Sequence, residues 1–198
     1  MTAARWRLTG LLAPLVAAVA ALLTWSQPWV VVLLDDGRTV VAGGDVAAPA
    51  LPPFALAALA LVGALALAGV FFRVVLGALQ ALLGLGVSVS GIIVITDPVA
   101  SAVPVITEVS GLAGVESVRT IVVTAEATVW PTLAIVAGAL GVLAGILVIA
   151  SARRWPPRTS KYDAARFSSP SVGDDAQAPV DSTSAWDSLS DGDDPTNR

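Results

Sequence analysis

The stretch from Pro131 to Ser151 reads PTLAIVAGALGVLAGILVIAS and contains no charged residue. As a helix it rises about 30 Å, the thickness of a bilayer's hydrocarbon. Trp130 stands at one end, and Arg153, Arg154 and Trp155 stand at the other. Tryptophans anchor at membrane interfaces, and arginines are retained on the cytoplasmic side. The segment therefore predicts a transmembrane helix and gives its direction.

Three further runs follow the same logic. Leu8 to Trp25 is uncharged and follows the short basic start at Arg5 and Arg7. Pro14 lies inside it, and a membrane helix tolerates such a kink. A signal peptide cleaved near Ala18 and Ala20 is the rival reading, but the apolar run continues past that point to Trp25, which favours an uncleaved span. Phe54 to Phe72 and Val74 to Ile95 are uncharged and separated by Arg73 alone. Together they are too long for one span and right for two, which predicts a helical hairpin with Arg73 at its cytoplasmic tip. Trp6, Trp25, Trp29, Trp130 and Trp155 all fall at the predicted interfaces and read as belt anchors.

The connecting segments change period. Trp29 to Leu34 is short and β-branched, Asp36-Gly37 is a turn dipeptide, and Thr39 to Val41 answers it, which predicts a β-hairpin. A hairpin alone is marginal. The Val, Ile and Thr of Val118 to Val129 would supply a third strand. Between them, Asp97-Pro98 suits a helix start. Val99, Ala102, Val103, Ile106 and Val109 share one face, as in an amphipathic helix lying at the membrane interface. Of the eleven basic residues, only Arg38 and Arg119 fall in the segments 26–53 and 96–130. That distribution places both segments outside and both termini in the cytoplasm.

The expected fold is thus an all-α membrane protein. It has four transmembrane helices (about 8–25, 54–72, 74–95 and 131–151), a small extracytoplasmic β-containing cap, and a disordered C-terminal tail. Residues 1–152 form the membrane domain. Residues 153–198 begin basic, end acidic, and are too rich in Ser, Pro, Asp and Gly to bury a core.

The chain has no cysteine and no histidine. Thiolate metal sites are excluded, and the commonest general base and metal ligand are missing. The carboxylates Asp35, Asp36, Asp45, Asp97, Glu108, Glu116 and Glu126 are scattered through the outer segments and read as solvated charge. No catalytic residue, cofactor or metal is expected, and the protein is not expected to be an enzyme. Nucleic-acid binding is not expected either, because the basic cluster lies against the membrane.

The spans contain no ionisable residue, which argues against ion-coupled transport. Gln80 is the most polar side chain within them and reads first as an interhelical hydrogen-bonding group, second as a substrate contact. Gly77, Gly84, Gly138, Gly141 and Gly145 bring helix backbones close. They serve packing within the bundle or, as the alternative, a homo-oligomer. In the tail, Trp186, Asp187, Leu189, Asp194 and Pro195 surround a candidate docking helix for a cytoplasmic protein partner; a solvated end is the other reading.

With those residues in view, the chain resembles the actinobacterial family of tryptophan-biosynthesis-associated membrane proteins, known from the tryptophan operon region. The resemblance spans the first helix running into Trp25, the β-like outer segment, and the paired spans around Arg73 with Gly77 and Gly84. It closes on the ending from Trp186 to Thr196. It implies a multi-pass plasma-membrane protein placed beside tryptophan synthesis, and it implies no reaction. Two functions follow as expectations: a non-enzymatic accessory protein docking a partner through its tail, or a small carrier or efflux component for tryptophan or a related aromatic metabolite.

Overall fold

The computed structural model describes residues 3–153. Helix α1 (Ala3–Trp25) leads into a hairpin of β1 (Pro28–Leu34) and β2 (Thr39–Gly43), then a single turn, α2 (Gly44–Ala47). The apolar helices α3 (Leu51–Leu67) and α4 (Val70–Thr96) follow. The chain next forms α5 (Pro98–Ser110), α6 (Val115–Ile121), β3 (Val122–Ala127) and α7 (Val129–Ser151). Three of these helices, α1, α4 and α7, are long and apolar enough to cross a membrane. Helix α3 is equally apolar but has 17 residues, a rise of about 25 Å. The protein is a multi-pass membrane protein whose helices contact lipid.

Helices α3 and α4 part at Ala68 and Gly69, both in extended backbone conformation. The expected turn at Arg73 therefore moves several residues upstream, and the second span ends at Leu67 rather than Phe72. Arg73 lies in the first turn of α4, buried, and its Nη1 donates to Ala152 O (3.4 Å) at the end of α7. A cation suits the negative end of a helix dipole and its orphan carbonyls. Capping α7 is what draws Arg73 inward, while Phe71 and Phe72 remain exposed at the bundle's end.

The sheet has the order β2-β1-β3, antiparallel throughout. Val31 pairs with Val41 on one side and Glu126 on the other; Val32 pairs with Val40 and Ala125. The hairpin turns at Gly37, whose φ of 83° is the left-handed conformation that Gly adopts without penalty. Asp36 accepts from Arg38's backbone N–H and its guanidinium, which hold its carboxyl below the ordinary aspartate value. Residues Val118 to Ile121, expected as strand, belong to α6 instead.

Helix α5 starts as its sequence indicates, with the Asp97 carboxylate accepting from Ala100 N–H at 3.0 Å. The other carboxylate oxygen receives Arg119 of α6. The apolar face of α5 is not laid on lipid, however. Ala102 and Ile106 are fully buried with Val30, Val32, Leu34 and Val118 in one cluster beneath the sheet. The helix is amphipathic because it covers a sheet face; α6 follows it after a 73° bend, and the bent pair taken together is also apolar enough to count as one broken span.

Two devices fasten this sheet unit to the helices. Trp29, expected at a lipid interface, is fully buried, and its indole N–H donates to Thr24 O (2.6 Å) at the end of α1. Gly44 leaves it room, since a Cβ there would strike Trp25 O and lie 2.8 Å from the Trp29 indole nitrogen. Thr128 joins the sheet to α7: its hydroxyl donates to Pro28 O (2.7 Å) and accepts from Trp130 N–H (3.3 Å). Trp29→Phe keeps an aromatic ring and removes the donor. It is expected to lower stability by about 0.5–1.5 kcal/mol, the net worth of one lost hydrogen bond, because Thr24 O also accepts from Gln27 N–H (3.2 Å). Thermal unfolding in detergent reads this loss, and an unchanged transition would mean that the Gln27 N–H alone satisfies Thr24 O.

Candidate functional site

The glycines singled out by sequence, Gly77, Gly84, Gly138, Gly141 and Gly145, converge on the seam between α4 and α7. The two helices run antiparallel, with Gly77 against Gly145, Gly84 against Gly138 and Gly141, and Gly91 against Pro131. Both sets step by seven: 77, 84 and 91 on α4, and 131, 138 and 145 on α7. A seven-residue repeat keeps one stripe facing its partner along the whole contact. The approach is close enough to exclude side chains. A Cβ on Gly84 would lie 2.6 Å from Gly138 O and 2.6 Å from Val142 N. One on Gly145 would lie 2.5 Å from Gly77 O. Ser88 adds a polar stitch, its hydroxyl 3.1 Å from Gly84 O and 3.3 Å from Ile135 O across the seam.

The glycine faces that offered a route to homo-oligomers are thus occupied within the chain. What sequence reasoning missed was the pairing itself. Its signal was the matched step of seven on two separate apolar runs.

Gln80 lies one turn from this seam and is 1% exposed. Around it converge Ala17, Ala18 and Ala21 of α1, Ala55 and Ala58 of α3, and Gly141 of α7. The expected interhelical hydrogen bond is not made by its carbonyl: Oε1 has no partner among the described residues. The cause is local. Its neighbours are alanines and glycines without side-chain donors, and helical backbone N–H groups are already committed to their own ladders. The cavity beside it is about 10 Å³, at the lower bound for one water molecule. An indole does not fit there.

Charge is sorted along the bundle. Arg5, Arg73 and Arg153 lie at the end remote from the sheet. Arg38 and Arg119, the two bases of the sheet unit, are each paired with an aspartate, Asp36 and Asp97. Among the described residues, no three Asp or Glu gather to hold a metal ion. The docking candidates Trp186, Asp187, Leu189, Asp194 and Pro195 lie outside the described residues.

The seam gives a paired test. Gly84→Ala places its methyl against backbone and is expected to cost about 1–3 kcal/mol through overpacking. Gly63→Ala meets nothing within 4 Å, and is expected to be neutral or to stabilise by about 0.5–1 kcal/mol through helix propensity. Unfolding in mixed micelles measures both; equal effects would mean that the seam is not tightly packed.

Comparison with curated proteins and with solved structures found no match. A family model described as tryptophan-associated transmembrane protein matches residues 9–196. That match runs from Thr9 within α1 through every later helix and strand to α7, together with the ending at Trp186 to Thr196. The chain belongs to the family of tryptophan-associated transmembrane proteins.

Proposed function

We propose that this protein is a non-enzymatic accessory of tryptophan metabolism, a membrane platform that docks a cytoplasmic partner through its tail. In this reading α1, α3, α4 and α7 are four spans, with α3 accommodated by local thinning or tilt of its neighbours. The termini and the Arg5, Arg73 and Arg153 end are cytoplasmic, and the sheet unit is the outer cap. The sorted charge supports that direction, because Arg5, Arg73 and Arg153 stand together at one end of the bundle, the end such bases mark as cytoplasmic.

The observation that carries the platform reading is the closed core. Helices α4 and α7 meet backbone to backbone, and the cavity at the four-helix junction is about 10 Å³. Such a core is built to hold a shape. The tail offers Trp186 and Leu189, three residues apart in an acidic stretch, as the contact. Crosslinking and mass spectrometry on the full-length protein in native membranes tests this. Specific cytoplasmic proteins are expected on the tail and are expected to disappear in the Trp186→Ala, Leu189→Ala double variant. An identical crosslink pattern in that variant would reject tail docking.

One observation favours the carrier reading instead: Gln80 presents an unpartnered carbonyl where four helices meet. A polar group of this kind in hydrocarbon is costly, and a substrate N–H would satisfy it once the helices part to enlarge the cavity of about 10 Å³. Liposomes containing the purified protein would then move labelled tryptophan, and Gln80→Leu would abolish the flux. Flux equal to that of empty liposomes disposes of this alternative.

A further inference from the structure

A second cavity lies on the outside of the bundle, between the first half of α1 and the second half of α7. It has a volume of about 550 Å³. Leu8, Leu12 and Val16 form one wall, Leu143 stands on the other, and buried Ala17 and Ala144 are among the lining. The one polar lining residue is Thr9, whose hydroxyl donates to Arg5 O on its own helix at 3.0 Å. The groove thus offers hydrocarbon contact along its length and no directed polar group.

Three features define the occupant. The groove runs from Leu8 to Ala17, about 14 Å of helix, close to half of a bilayer's roughly 30 Å hydrocarbon core. It closes at Ala17, where α1 packs into the Gln80 layer, so it serves one leaflet only. A transmembrane helix from another chain would need a groove through the full thickness. Lastly, Arg5 is exposed, four residues before Thr9 and seven before Leu12, and therefore on the same helix face as the groove. A fixed cation at the mouth of a hydrocarbon slot one leaflet deep matches a lipid with a negative headgroup.

We propose that this groove binds one anionic phospholipid, with an acyl chain along Leu12 and Leu143 and the phosphate against Arg5. The site is distinct from the general lipid coat because it selects by headgroup. It is tested by native mass spectrometry of the full-length protein in detergent, given phosphatidylglycerol or phosphatidylcholine with identical acyl chains. Phosphatidylglycerol is expected to be retained about fivefold over phosphatidylcholine, the preference one arginine supplies near an anionic headgroup. Arg5→Gln is expected to bring that ratio near one while retention of phosphatidylcholine stays unchanged. Leu143→Trp, which fills the slot from an exposed position, is expected to reduce retention of both lipids. Equal retention of the two lipids by the wild-type chain, or an unchanged ratio in Arg5→Gln, overturns the proposal. So does a dimer that Leu143→Trp dissociates, since the groove would then hold a second copy.

Discussion

The close approach of α4 and α7 is the contact on which the remaining structure depends. Inside lipid there is no hydrophobic gain from bringing helices together, because the surrounding tails are as apolar as leucine. Association rests instead on dispersion between surfaces that fit, and fit improves when side chains are absent. Each atom pair contributes little, and a long seam adds many. With α4 and α7 locked, α1 packs on α7, α3 packs on α4, the two pack on each other, and Gln80 is sealed between the four. Arg73 then completes the far end of α7, while Thr128 begins it.

This seam also explains how a small sheet survives on top of a bundle. Three strands of five to seven residues have limited area of their own. They are held at both attachments, by the Trp29 indole on α1 and by the Thr128 hydroxyl on α7. Helix α5 covers the inner face, so that Val30, Val32 and Leu34 leave water without reaching lipid. The sheet is therefore part of the same folded unit as the helices and not an appended loop.

Much of this was legible in the sequence because lipid imposes a strict rule. Charged residues are costly at depth, so uncharged runs bounded by Trp and Arg mark helices directly. The hairpin was legible through Asp36-Gly37, and its third strand through the Val and Thr near Val122. Less legible were the features that depend on which surfaces meet. Arg73 marked an end of the bundle but not the turn, which falls at Ala68 and Gly69. The same amphipathic pattern in α5 suits a membrane surface or a sheet, and only the presence of Val32 and Val30 beneath it decides. Trp29 belongs to the interior because its indole N–H reaches the Thr24 carbonyl at the end of α1, a relation no local pattern records. The docking residues around Trp186 rest on sequence reasoning alone.

The glycine seam has a consequence for how such a chain can drift. The atoms that bar a side chain at Gly84 are Gly138 O, Val142 N and Gly141 C, all main chain. No replacement on the facing helix can vacate that space, because every amino acid brings the same main chain with it. Gly84 is then frozen by itself, with no compensating partner to change alongside it. Covariation between the two helices should be weakest where they are nearest, and a contact map inferred from correlated change would miss the centre of the bundle.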